Sequence, residues 1–180
     1  MPEDRYRGLA FRAHNPRWSF TPLSGDGAAR HGGRFNPKGT PALYLSLSET
    51  LALAEYQQGF PHRPQPATLC AYEIDCRPVA DLTDTATLEH HGIDPAALAC
   101  PWELLLTERQ TPPSWMQARQ LIRQGCSGII VPSFAPNRPP GGRNLVLWCW
   151  NQSDECRVRL IDDHHRLPRN AGSWIDSGED

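Results

Sequence analysis

Eighteen prolines in 180 residues set the first limit on what this chain can fold into. Proline fixes its own φ, lacks a backbone donor and pushes the residue before it out of helical geometry. A chain punctuated this often is cut into short elements. "YRGLAFRAH" (6–14) alternates as an opening strand, and "NPRWSFTPLSGDGAARH" reads as a loop with at most one helical turn around Asp26–Arg30. "ALYLS" (42–46) is a compact buried strand, and "SETLALAEYQQG" (48–59) is a helix with Ser46 or Ser48 as N-cap, stopped by Gly59 and Pro61. "PATLCAYEIDC" (66–76) and "PVADL" (78–82) are strands, 83–110 is helical in pieces, and "PSWMQARQLIRQG" (113–125) is a helix. "CSGIIVPSF" (126–134) and "NLVLWCW" (144–150) are strands around a Pro/Gly-rich loop, and "CRVRLID" (156–162) is the last strand. Strands outnumber long helices and do not alternate regularly with them. The reading is a mixed α+β fold rather than a doubly wound one.

Composition narrows the class. A chain of 180 residues is most simply one domain. No apolar run approaches the ~20 residues of a membrane helix, and "MPEDRYRG" has no apolar stretch behind it, so it is no secretory signal. The expected location is the cytoplasm. Six cysteines (Cys70, Cys76, Cys100, Cys126, Cys149, Cys156) lie at irregular spacings with no CxxC pair, which predicts six reduced thiols serving as small apolar residues. The pairs His90-His91 and His164-His165 lack neighbours at ligand spacing, so no metal site is expected. A net charge of −2 argues against direct DNA binding. An anionic ligand would have to be met by local arginines.

One stretch offers such an arginine. "GGRFNPKGTPALYLS" (32–46) sets Arg34 between a flexible glycine pair and a strand carrying Tyr44. On the following helix, 100° spacing puts Leu51, Ala54 and Glu55 on one face and turns Leu53 and Tyr56 away. Glu55 therefore lies in the inward stripe, either at the rim of the core, paired with an arginine, or facing a cleft. Cation, aromatic and acid fall within 22 positions on successive elements. The glycines do not form GxGxxG and precede a strand instead of joining strand to helix, so a dinucleotide fingerprint is excluded. Gly32 and Gly33 could still bring backbone amides close to a phosphate, with Arg34 as a fork of donors. Ser133 ends an apolar strand after a proline, without a GxSxG elbow, and is assigned hydrogen bonding rather than nucleophilic attack. The tryptophans at 102, 115, 148 and 150 are core or rim residues.

The block "FRAHNPRWSFTPLSGDGAARHGGRFNPKGTPALYLSLSETLALAEYQQG", with "GIIVPSF" and "NLVLW", closely resembles the RES-domain family, the toxin halves of bacterial RES–Xre toxin–antitoxin modules. The resemblance runs from about residue 6 to about residue 150; Phe35 stands where many members have tryptophan, and the loop 135–143 exceeds that of compact members. The chain is expected to form a single RES domain over 1–165, and its last residues, 166–180, read as a polar tail. The implied fold is ADP-ribosyltransferase-like, with a mixed, mostly antiparallel sheet and short helices. The resemblance also implies NAD as substrate without a metal, cleaved at the nicotinamide–ribose bond by hydrolysis or phosphorolysis. ADP-ribosylation of a protein is the alternative within that chemistry, and a binding module with a structural arginine–glutamate pair the alternative outside it. The implied partner is an Xre-family helix-turn-helix antitoxin, with a homodimer left open. Carried over by motif, Arg34, Tyr44 and Glu55 are catalytic, and Arg12, Arg34, Tyr44 and Ser133 bind NAD. In those roles Glu55 stabilises an oxocarbenium-like ribose, Tyr44 stacks on the cofactor, Arg34 and Arg12 hold the pyrophosphate, and Ser133 bonds the nicotinamide or ribose.

Overall fold

Alternation of side chains across one seven-stranded sheet organises the molecule. A computed structural model describes residues 4–60 and 62–172. The strands are β1 (Tyr6–His14), β2 (Leu43–Ser46), β3 (Thr68–Cys76), β4 (Val79–Asp81), β5 (Gly128–Pro132), β6 (Arg143–Leu147) and β7 (Cys156–Leu160). The helices are α1 (Asp26–His31), α2 (Glu49–Gln57), α3 (Thr85–His91), α4 (Pro95–Leu98), α5 (Trp102–Thr107) and α6 (Pro113–Arg123). The sheet order is β4-β5-β6-β2-β1-β3-β7, antiparallel throughout except for the parallel β4–β5 pair. This is the expected α+β class with a mostly antiparallel sheet.

Each face of the sheet carries its own core. Leu43 and Leu45 of β2 join Leu145, Leu147, Tyr72 and Val158 in one. Their neighbours in sequence turn to the opposite face, where Val146, Ile129 and Val131 pack with Ala118 and Leu121 of α6. The site lies on that second side. Strands β1 and β2 meet at one pair, Phe11↔Ser46, and diverge beyond it. A sheet that splays near its centre leaves a crevice between strands that are otherwise firmly paired, β1 with β3 and β2 with β6.

The helix carrying Glu55 starts where its sequence says. Of the two candidate caps, Ser48 takes the role, its Oγ accepting from Leu51 N at 3.2 Å. Leu51 and Ala54 are buried against the sheet while Leu53 is exposed, as the 100° spacing requires. Pro61, read as part of the helix stop, lies outside the described residues. A 3-10 turn over Pro16–Trp18, capped by Asn15, was not read from the sequence.

One expectation is corrected. Cys76 and Cys156 are directly opposed in the β3–β7 register and form a disulfide, leaving Cys70, Cys100, Cys126 and Cys149 free. The pairing joins positions 80 apart, so nothing local in the sequence announces it. Of the expected polar tail, residues 173–180 lie outside the described residues, whereas Leu167 packs against the first core. Among the described residues no helix is long and apolar enough to cross a membrane, and no His/Cys/Asp/Glu group could hold a metal ion.

Candidate functional site

The loop bearing Arg34 is held by its own carbonyls. Trp115 Nε1 donates to Gly33 O at 2.7 Å, Ser114 Oγ to Arg34 O at 2.6 Å, and Trp148 Nε1 to Phe35 O at 2.9 Å. Three successive peptide groups are thus each fixed by a side-chain donor. Asn36, fully buried, completes the clamp: its Nδ2 donates to Ala28 O and Thr40 O, and its Oδ1 accepts from the Tyr44 hydroxyl at 2.7 Å. The Tyr44 oxygen in turn accepts from Phe35 N at 3.0 Å. Gly33 is required here, because a Cβ would lie 2.6 Å from the Tyr44 oxygen and 2.7 Å from Asn36 Oδ1. A loop built this way spends no ligand-binding energy on ordering itself.

Arg34 projects from that loop into a cavity of about 670 Å³ whose lining includes Tyr44, Glu55, Trp102, Phe134 and Asn144. Its Nη1 donates to Cys100 O at 2.6 Å and Leu98 O at 3.3 Å, carbonyls at and just beyond the end of α4. Its guanidinium carbon stands 4.5 Å from the centre of the Phe134 ring. Both Nη1 hydrogens are therefore used, and Nε and Nη2 remain for a ligand. Burial pulls the Arg34 pKa down, opposed by Cys100 and Glu55 nearby. Among the described residues no carboxylate forms an ion pair with it, Glu55 included. Arg34 and Glu55 thus line one cavity without forming an ion pair in this structure.

Glu55 is fixed from two sides. Its Oε1 accepts from Ser133 Oγ at 2.6 Å and from Asn144 Nδ2, and its Oε2 accepts from Gln58 Nε2 at 2.9 Å. Ser133, 1% exposed, also accepts from Ala135 N. Its hydroxyl proton is committed to Glu55, so it supports the carboxylate and does not open onto the cleft. The Tyr44 hydroxyl is likewise engaged with the loop, and burial pushes its pKa well above the ordinary phenol value. The ring is what Tyr44 offers to the cavity.

Arg12 is the residue the structure sets apart. It lines a smaller cavity of about 230 Å³ in the gap where β1 and β2 diverge, together with Tyr44, Glu55 and Asn144. Its Nη1 reaches Pro22 O and Ser24 O at 3.4 and 3.3 Å, and burial lowers its pKa. Among the described residues it has no acidic partner. The two arginines thus occupy separate cavities that share the walls formed by Tyr44, Glu55, Gln58 and Asn144. Sequence reasoning missed Asn36, Asn144 and Gln58. The glutamine alone left a signal, standing three residues after Glu55 on the same helical side.

The family model of the RES domain matches residues 9–170. The chain belongs to the RES-domain family. A solved structure agrees in fold: this RES domain resembles a chain from the crystal structure of the M. tuberculosis MbcT–MbcA toxin–antitoxin complex. That likeness has a TM-score of 0.55 at 21% identity and covers 86% of this chain and 82% of the other. No curated protein matches.

Proposed function

We propose that this RES domain is a toxin enzyme that breaks the nicotinamide–ribose bond of NAD. The observation that carries the reading is a buffered carboxylate in a cleft: Glu55, held by three donors and not paired with the cation that shares its cavity. Nicotinamide leaves as a neutral base, taking the electron pair of the C–N bond, so departure needs no general acid. What the site must supply is negative charge near an electron-poor ribose carbon and a hold on the remaining anion. Glu55 supplies the first. Two donors occupy Oε1 and one occupies Oε2, so of the roughly four lone-pair positions of a carboxylate the last lies on Oε2. A ribose hydroxyl donating there would share the growing positive charge with Glu55.

Arg34 supplies the second through Nε and Nη2, two parallel donors suited to a pyrophosphate. Arg12 offers a second cation across the shared wall, and the Tyr44 ring a stacking surface. An oxygen acceptor then bonds to the ribose carbon and loses its proton; water, phosphate or a protein side chain would each satisfy the balance. The MbcT–MbcA structure, a toxin–antitoxin complex, supports a further part of the reading, a separate antitoxin that restrains this enzyme; the Xre type is what the family resemblance implies. The cytoplasm, with its NAD pool, stays the expected place of action.

The test is release of free nicotinamide from NAD by the purified protein and by Glu55→Gln. The expected outcome is a loss on the order of 10²-fold or more at an unchanged melting temperature. Mass spectrometry of the ADP-ribose product identifies the acceptor. Expression of the wild type, and not of Glu55→Gln, should arrest bacterial growth and lower cellular NAD. Near-wild-type turnover by a folded Gln variant would remove Glu55 from the mechanism.

A further inference from the structure

Asn144 opens the NLVLW segment and has no role in the chemistry read from the sequence, yet it joins the two strands flanking the site to the carboxylate. It lies in β6 directly opposite Ser46 of β2. Ser46 Oγ donates to Asn144 Oδ1 at 2.9 Å, and Asn144 Nδ2 donates to Glu55 Oε1. The carboxylate, which only accepts, fixes the orientation of the carboxamide by drawing Nδ2 toward Glu55, and the Ser46 hydroxyl then donates to Oδ1 and anchors the other end. Ser46 is buried and Asn144 half-buried, and Asn144 lines both cavities. By contrast Gln58, which donates to Oε2, is exposed on the last turn of the helix. The two oxygens of Glu55 are therefore unlike. Oε1 is locked by inner donors, and Oε2 is held by one that solvent or a ligand can displace.

We propose that Asn144 is a positioning residue: anchored by Ser46, its carboxamide locks Oε1 of Glu55 and thereby presents Oε2 to the ligand. This rests on Glu55 as the carboxylate of the reaction. Replacing the amide with an acid inverts the contact at constant size, because Asn144→Asp sets a carboxylate against a carboxylate. Two such groups at hydrogen-bonding distance share a proton and titrate as a pair. The other titratable or charged groups lining the two cavities with Glu55 are Arg34, Glu103, Tyr44, Arg12 and Tyr56, and the substitution displaces none of them.

The experiment compares wild type, Asn144→Asp and Ser46→Ala in two readouts. The first is nicotinamide release across pH 5–8. Asn144→Asp should lose at least tenfold in kcat near pH 7.5 with KM within about threefold, and its ratio to wild type should rise as pH falls and a shared proton restores the bond. Ser46→Ala keeps the amide but frees it, and should lose a few-fold in kcat with no change in pH profile. The second readout needs no turnover: the carbon-13 shift of the Glu55 carboxyl followed by NMR over a range widened to about pH 3–8, which takes in the ordinary carboxylate region. In Asn144→Asp its midpoint should move by at least one pH unit. A folded Asn144→Asp with the wild-type pH profile overturns the proposal, and so does an unmoved carboxyl midpoint. Should wild type release no nicotinamide, the NAD reading falls and the carboxyl midpoint alone decides on Asn144. Should Asn144→Asp fail to fold, Ser46→Ala decides: unchanged kcat overturns the proposal, and a few-fold loss at constant KM supports it.

Discussion

His14 shows how much a single buried side chain can make stability depend on pH. It ends β1 at 8% exposure, and among the described residues neither ring nitrogen has a hydrogen-bond partner. Burial, reinforced by the Arg12 charge two residues away, lowers its pKa from 6.5 to about 4. An imidazole that stays neutral when folded and protonates when unfolded favours the unfolded chain as pH falls. The effect is absent above the unfolded pKa, develops between 6.5 and about 4, and is constant below. At about 1.4 kcal/mol per unit it is worth on the order of 3 kcal/mol. Urea unfolding at pH 7 and pH 4.5 should show that loss in the wild type and lack it in His14→Leu. Equal pH dependence in the two proteins would place the acid sensitivity elsewhere. The same scale explains what sequence could disclose about the site. Arg34 and Glu55 were legible because each charge broke a local pattern, a cation in a glycine turn and an acid on an inward helical face. Asn36 and Asn144 break no pattern; their importance comes from carbonyls and hydroxyls that approach only after folding.

At the scale of elements, the turn that carries Arg34 is a rigid piece of structure without being a helix or a strand. Its stiffness comes from α6, β2 and the residue just after β6, which supply Trp115, Tyr44 and Trp148. Gly33 is where these supports converge, and the groups a Cβ would meet are locked by hydrogen bonds and have no free end to swing away. Gly33→Ala should therefore cost roughly 1–3 kcal/mol of stability through overpacking and weaken ligand binding by moving the loop. Gly27 is the contrast: it lies in α1 with nothing within 4 Å of an added Cβ. Gly27→Ala should be neutral or stabilise by up to about 1 kcal/mol. Thermal melts of the two variants check the pair, and equal effects would refute the account of Gly33. Helix α2 was legible because its cap and its apolar stripe are local signals. The order of strands was not, since β2 sits between β1 and β6 through contacts spanning up to about a hundred positions of sequence. Periodicity reports which face of a strand is buried, not which strand will lie beside it.

On the scale of the whole molecule, the site and the main covalent constraint lie in different parts of the sheet. The cavities are lined from β1, β2, β5 and β6, whereas the disulfide ties the edge strand β7 to β3, and neither Cys76 nor Cys156 lines either cavity. Strand β7 contributes Cys156 and Val158 to the first core, Leu160 packs against it, and the strand is paired with β3 from Cys156 to Leu160; at the surface Arg159 pairs with Glu73, both of them well exposed. Exposed pairs of this kind add little to stability. The disulfide adds a covalent constraint to the packing and pairing of this edge. Closing a loop over a separation of 80 residues restricts the unfolded chain by about 4 kcal/mol in the chain-entropy account. A reductant, or Cys156→Ser, should lower the melting temperature by on the order of 10 °C for a domain of this size. Nicotinamide release at 25 °C should be unchanged, because the constraint acts on the unfolded state and on an edge remote from Glu55. The decisive comparison is a melt of wild type and Cys156→Ser, each with and without reductant. A reductant effect confined to the wild type ties the shift to this bond. An identical shift in the Ser variant would assign it to other thiols, and no shift in either would mean that β7 is held by packing alone.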